Sequence, residues 1–483
     1  MAETKTEGQK LKEKLLAKRK NGWEDLTEAE KKKVMKFSDD YIKFLNNGKT
    51  ERECVKEAQK IAEANGFKAL EKYKKLKAGD KVYYINRNKN IILAVIGKEK
   101  LESGINVVGA HLDSPRLDLK PNPLYEDTGF AYFKTQYYGG IKKYQWVTLP
   151  LAIHGVVALK DGTVVDVKIG DEEDDITFVI TDLLPHMARK QMEKKATEVI
   201  EGEALNLLIG SIPYKDDKVS EKVKLNIMKI LNEKYGIVED DFLSAELEIV
   251  PAMNAKSLGF DKSMVAGYGQ DDKVCSYASL KAICEVEAPA KTAVCLLVDK
   301  EEIGSVGNTG MEAMAFETFL GEIIALTGED KTTNILHRVY SNSKMLSADV
   351  DGAYDPIYSS VADKRNASFF GQGVGMNKYT GGRGKSGAND ANAEFVAEIR
   401  NLFEENGVKY QISELGKVDE GGGGTIAYIL ANKGMDVIDC GTPVLSMHSP
   451  YEATSKFDVY MSYLAYKVFM KWERFIVMHI RRK

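Results

Sequence analysis

Short apolar runs that break off into polar residues recur along this chain, and that grammar constrains the fold more than any other feature. Residues 105–109 run into Ala110-His111-Leu112-Asp113 and residues 292–298 into Asp299-Lys300-Glu301-Glu302. In the same way residues 344–347 lead to Ala348-Asp349, and residues 444–447 to His448. Such β-branched runs bounded by turn residues read as strands, and the patterns at 273–286 and 456–472 between them read as helices. Alternating strands and helices imply an α/β sheet. Ligands bind beyond the carboxyl ends of such strands, so four strand ends are expected to deliver polar side chains to one crevice.

Around this sheet the sequence implies further parts. A chain of 483 residues exceeds one ordinary core, so two domains are expected. Thr27 with Glu30, and Thr50 with Glu53, are capping-box signatures. The first opens a helix with a buried stripe of Val34, Phe37, Tyr41 and Leu45, and the second a helix ending at Asn65-Gly66. Strands are expected at 82–86 and 90–96. Between Pro121 and Pro251 the character turns β-rich, with a hairpin at 156–169 around Asp161-Gly162 and a strand-like run at 176–181. The expected organisation is a discontinuous catalytic domain (1–120 and 252–483) carrying an inserted β-rich domain (121–251). Residues 371–387 read as a glycine-rich, mobile loop.

Composition excludes several classes. Hydrophobic residues make up 43% and charged residues 29% of the chain, the balance of a soluble globular protein. A net charge of -4 offers no basic face for nucleic acid. Lys10, Lys12, Lys14, Lys18 and Lys20 are interleaved with acids and read as a solvated helical face. No run reaches the roughly 18 apolar residues of a membrane span, and the polar residues 1–20 hold no secretory apolar core. Five cysteines (Cys54, Cys275, Cys284, Cys295, Cys440) lack C-x-x-C spacing and read as free thiols of a reducing cytoplasm. Residues 381–386 approach a P-loop, but Tyr379 stands where that motif needs glycine.

The polar residues at the element ends have the chemistry of a two-metal hydrolase. His111 can bind a metal while Asp113, on the same side of the strand, fixes the imidazole tautomer; alone, the pair is more often the mark of a structural histidine. Asp271 and Asp272 open a helical run, as an N-cap would, but a carboxylate can also bridge two ions. Glu301 and Glu302 are adjacent like charges, tolerated when one meets a metal and the other holds a proton. That division makes Glu301 the general base and Glu302 a ligand, against the alternative of a solvated acidic turn. Asp349 and His448 complete a set of two imidazoles and several carboxylates.

The segments 109–116 (GAHLDSPR), 299–305 (DKEEIGS), 347–349 (SAD) and 447–449 (MHS) resemble those of the aspartyl aminopeptidases, and the resemblance, of a bacterial type, extends over nearly the whole chain. That family consists of dinuclear zinc-type enzymes that remove N-terminal, often acidic, residues from short peptides. The resemblance implies a zinc-peptidase α/β sandwich holding two divalent ions per subunit, zinc first, with cobalt or manganese suiting the same ligands. It implies metal ligands His111, Asp271, Glu302, Asp349 and His448, with Asp271 the better match for the bridge than Asp272, and Glu301 as the base. It also implies that His154, in Leu151-Ala152-Ile153-His154, reaches a neighbouring subunit's site within a homo-dodecamer. Two rivals share these residues: a deacylase or carboxypeptidase using the same metals, and an inactive assembly or cargo-binding scaffold.

Overall fold

The computed structural model describes residues 5–17, 20–171, 176–329 and 334–473; Lys18, of the expected solvated face, lies outside them. Both capping boxes form. Thr27 Oγ1 accepts from the Glu30 N–H while the Glu30 carboxylate accepts from the Thr27 N–H, opening the helix Glu28–Asn47. Thr50 and Glu53 repeat this at the helix Glu51–Ala64. Such caps satisfy N–H groups that the first helical turn leaves without carbonyl partners. Val34, Tyr41 and Leu45 are buried as the first helix packs on the helices Gln270–Cys284 and Lys456–Met470.

A nine-stranded sheet forms the centre. Its strands run in the order Lys68–Ala69, Lys81–Asn86, Asn90–Val95, Ala293–Val298, Asn106–His111, Lys344–Ser347, Asp436–Gly441, Val374–Asn377 and Tyr410–Ile412. The fourth to seventh are mutually parallel, with Val298 in register with His111 and Ser347 with Gly109. Their continuous apolar character follows from burial on both faces. Val108, Ala110, Cys295, Leu297 and Leu346 enter one core, while Val107, Val294, Leu296 and Met345 enter the other. The α/β sandwich expected from the sequence is therefore the fold.

A second, antiparallel sheet runs in the order Val164–Ile169, Leu151–Ala158, Ala245–Pro251, Arg116–Asp127, Phe130–Tyr138 and Leu207–Gly210. It has its own core around Leu117, Trp146, Ile153, Phe242 and Ile249. The expected hairpin is its edge pair, turned at Gly162 (φ +88°), where a Cβ would be strained. The run at 176–181 forms only isolated bridges, at Phe178 and Val179.

Two expectations are corrected here. The strand before His448, Pro443–Leu445, does not join the central sheet but a third, five-stranded one, beside Glu452–Ser455 and Asp351–Gly352. Pro443 lacks the N–H that a central strand must donate, and the chain leaves the central sheet just before it, after Gly441. The segment 371–387 is not one mobile loop either. Val374–Asn377 is a central-sheet strand, and the Gly371 and Gly373 N–H groups each donate to Asp458 at 2.7 Å.

Candidate metal centre

Three adjacent strands of the central sheet end at one crevice. Asn106–His111 delivers His111 itself, Ala293–Val298 leads into the turn carrying Glu301 and Glu302, and Lys344–Ser347 leads to Asp349. His448 arrives from the five-stranded sheet. Asp271 arrives from the start of the helix Gln270–Cys284, where Asp271 and Asp272 are non-helical and joined by a cis peptide bond. Asp271, Glu301, Glu302, Asp349 and His448 line a cavity of about 540 Å³, and its other walls include Val350, Asn377, Thr380, Leu415, Met447 and the glycines 422–424.

The two imidazoles are oriented alike. His111 Nδ1 lies 3.0 Å from the Asp113 carbonyl oxygen, and His448 Nδ1 lies 2.8 Å from that of Gly140. A carbonyl only accepts, so each Nδ1 carries a proton and Nε2 is the nitrogen left to face the crevice. Those two nitrogens meet the carboxylate of Asp271 from two sides: His111 Nε2 is 3.2 Å from Oδ1, and His448 Nε2 is 3.1 Å from Oδ2. Asp349 Oδ1 stands 3.8 Å from His111 Nε2, and Glu302 Oε2 stands 3.5 Å from His448 Nε2. Glu301 Oε2 is 4.0 Å from His111 Nε2 and faces the cavity.

Asp113 stands at His111 Nδ1, as expected, but has a second task. Its backbone carbonyl is the nearer partner of His111 Nδ1, the carboxylate lying at 3.3 Å. The carboxylate itself accepts the N–H groups of Glu301 (3.1 Å) and Glu302 (3.2 Å) and the hydroxyl of Tyr138 (2.9 Å). It thus anchors the turn that carries the two glutamates. Asp272 accepts the His111 N–H at 3.3 Å and offers His111 no side-chain contact of the kind Asp271 does.

Charge dominates this crevice. Glu301 is pushed up to about 8 by burial and by the carboxylate of Asp349, and Glu302 is raised by burial and by Asp271. Asp349 and Asp272 are raised as well, by burial first. His448 is raised to about 10: burial opposes its charge, and Asp271 outweighs burial. Crowded carboxylates and proton-hungry imidazoles report one strongly negative potential. Asp271 Oδ1 and Glu302 Oε1 are buried yet accept no hydrogen bond among the described residues, a costly state for a carboxylate oxygen unless a cation meets it. Oxygen and imidazole donors within 4.8 Å of one another, as in His111, Asp271 and Glu302 or His111, Asp272 and Asp349, suit a divalent ion of the zinc type. The donor set therefore fits metal.

Of the residues expected at the site, the structure gathers His111, Asp113, Asp271, Glu301, Glu302, Asp349 and His448, and it leaves His154 elsewhere. His154 is 0% exposed, held on Leu151–Ala158 between Glu53 Oε1 (2.9 Å) and Asp171 Oδ2 (3.2 Å). Nδ1 bonds to Glu53 and Nε2 faces Asp171, both within its own chain. Sequence reasoning missed Tyr138 and Glu452. Glu452 is buried and pushed up to about 8, by burial and by Asp271; its position four residues after His448 is the only local cue.

The comparisons with known proteins agree with this chemistry. A family profile described as aminopeptidase I zinc metalloprotease (M18) matches residues 44–470. A probable M18 family aminopeptidase 1 of Clostridium acetobutylicum is 54% identical over 460 residues, covering 94% of this chain and 99% of that one. The crystal structure of an M18 family aminopeptidase from Thermotoga maritima superposes with a TM-score of 0.91 at 45% identity, over 94% of this chain and 99% of that one. A more distant structure, the mApe1 dodecamer of S. cerevisiae, shares the fold with a TM-score of 0.71 at 22% identity, over 90% and 96% of the two chains.

Proposed function

Because the chain belongs to the aminopeptidase I family of zinc metalloproteases (M18), we propose that Asp271 would be shared between two zinc ions and that Glu301 is the general base of N-terminal residue removal. The single observation behind this reading is that each oxygen of Asp271 faces the Nε2 of a different histidine, at 3.2 and 3.1 Å. His111 and Asp349 would hold the ion on one side, and His448 and Glu302 the ion on the other. Bound there, the ions supply Lewis acidity: they polarise the scissile carbonyl and acidify a water. Glu301, ligating neither ion, takes the proton from the attacking water and returns it to the leaving amine. Its raised proton affinity suits both roles. Asp113 keeps Glu301 and Glu302 in place through their backbone N–H groups. The α-amine of the substrate would be met by carboxylate oxygens that the ions leave unused, which favours cleavage at a free N-terminus.

We extend the reading to substrate and assembly. No lysine or arginine lines the cavity among the described residues, so the side chain of an acidic first residue would meet carboxylates and, apart from the ions, no basic side chain to pair with. Neutral first residues are the proposed substrates, in short peptides. His154 has no part in this chemistry. The segment 121–251, with its own core and exposed Leu184, Met187, Met192 and Ile212, is proposed to mediate homo-oligomerisation, as a dodecamer like that of mApe1. Five cysteines that are all free and buried suit the cytoplasm. No helix among the described residues is long and apolar enough to cross a membrane.

The deciding experiment counts zinc in the purified protein and compares hydrolysis of unblocked and N-acetylated aminoacyl substrates. Two ions, and cleavage of the free-amine set with leucine-type residues ahead of aspartate and glutamate, is the expected result. Cleavage of the N-acetylated set would establish the deacylase, and no cleavage by zinc-loaded, assembled protein would establish the scaffold.

A further inference from the structure

The loop that carries His448 is bent in a way its residues do not favour. Ser446 (φ 58°) and His448 (φ 64°) are both left-handed without being glycine, a conformation that persists only where the surroundings hold it. The start of the helix Gln270–Cys284 is equally irregular, and Asp271 and Asp272 lie outside helical geometry there. One side chain touches both segments. Glu452 Oε1 accepts the His448 N–H at 2.8 Å, while Glu452 Oε2 accepts the N–H groups of Gln270 (2.5 Å) and Asp271 (3.2 Å). Its own backbone carbonyl accepts from Gln270 Nε2 at 2.7 Å. Glu452 is 1% exposed and opens the strand Glu452–Ser455, so it is a fixed point.

We propose that Glu452 is a positioning residue: a carboxylate clamp that holds the His448 loop against the Asp271 segment and so sets the spacing of the ion site that His448 completes. The inference rests on the two-ion reading above and goes beyond it, because Glu452 is neither ligand nor base. The arrangement of donors makes the clamp chemically specific. Three N–H groups point at two oxygens, and a carboxylate accepts all three. An amide cannot. In Glu452→Gln the carbonyl oxygen goes to the pair of donors from Gln270 and Asp271, leaving an NH₂ facing the His448 N–H, donor against donor. The variant therefore releases the His448 side while keeping size and packing. His111, anchored through Asp113 on the opposite side, is untouched.

The test measures both zinc affinities by chelator competition in the full-length wild type, in Glu452→Gln, in His448→Ala and in the double variant, with thermal midpoints of the metal-free proteins alongside. Glu452→Gln is expected to weaken the same ion that His448→Ala weakens, by roughly 10–100-fold as for other groups that orient metal ligands, with the metal-free midpoint preserved. In the His448→Ala background it is expected to change that affinity by less than about twofold, since a residue that acts through His448 has nothing left to act on. Unchanged affinities, equal weakening of both ions, or full additivity in the double variant each overturn the proposal. Glu452→Asp, too short to reach both segments, serves the same comparison if the Gln variant does not fold. A wild type holding fewer than two ions refutes the two-ion reading and this inference together, whereas two ions with no selective loss refutes this inference alone.

Discussion

Arg116→Met removes the cation at the centre of a buried ion cluster, and its consequences can be worked through from the structure. The guanidinium, 6% exposed, lies 2.9 Å from Asp118, 3.1 Å from Glu248 and 3.6 Å from Glu51, and it stacks on Tyr138 at 4.0 Å. Without it Lys89, 3.4 Å from Glu51, is the cation left beside these acids among the described residues, and Glu51 is the one whose charge depended on the pair. Breaking a buried pair in this way costs about 3–5 kcal/mol, mostly as uncompensated charge. Unfolding entropy near about 2.1 cal/mol/K per residue gives roughly 1 kcal/mol/K for 483 residues unfolding as one unit. The melting midpoint should accordingly fall by about 3–5 °C at neutral pH.

The sign of the pH dependence follows from Glu51. Burial alone would raise it, but Arg116 and Lys89 hold it down at about 2. In the wild type its contribution is thus present above the unfolded value of about 4.3 and lost as pH falls through the folded one. In the variant burial is no longer outweighed, so the folded chain binds a proton more readily than the unfolded chain and regains stability on acidification. The gap between the two proteins should be widest near about pH 8 and narrow toward about pH 5.5. Thermal scanning of both zinc-loaded proteins across that range measures it, and the shared metal ligands cancel in the difference. A variant melting within about 1 °C of wild type at neutral pH, or a gap that ignores pH, would refute the reasoning.

Three further outcomes are expected. Glu301→Gln should keep both zinc ions while losing on the order of 10²–10⁴-fold in kcat; normal turnover with zinc bound removes Glu301 as base. Asp271→Asn has one oxygen where two are used, so zinc counting should find fewer ions than in wild type, and an undiminished count argues against the bridge. His154→Asn should retain turnover, because the imidazole is enclosed in its own chain; loss of activity in the intact oligomer would restore a role in a neighbour's site. Its effect on melting should also depend on pH. Burial opposes the charge on His154, yet Asp171 and Glu53 raise its proton affinity. That stabilisation is full below the unfolded value of about 6.5 and fades as pH rises through the raised folded one, so the melting gap should close in alkali.

Some of the molecule was legible because its causes are local. The capping boxes of Thr27 and Thr50 join residues three apart, and the hairpin at Gly162 is set by its own turn. Apolar runs ending in His111, Glu301 and Asp349 carry the strand and its polar end in consecutive residues. Long-range pairings left no such mark. Tyr138 reaches Asp113 from another sheet, and Glu452 meets Asp271 and His448 through backbone N–H groups, which every residue but proline owns. The sheet that takes the strand before His448 is hidden for the same reason, since periodicity says that a strand exists and not what it pairs with.

From its order of residues alone the chain determines an alternation of buried strands and helices, the chemistry available at the strand ends, and membership of a zinc peptidase fold. Tertiary structure decides what those residues do. It turns both imidazoles by giving each Nδ1 a carbonyl, sets Asp271 rather than Asp272 between them, spends the Asp113 carboxylate on the Glu301–Glu302 turn, and encloses His154 between two acids. Each of those decisions depends on distances of about 3 Å between segments far apart in sequence, and hydrogen-bond and charge energies change steeply over that range.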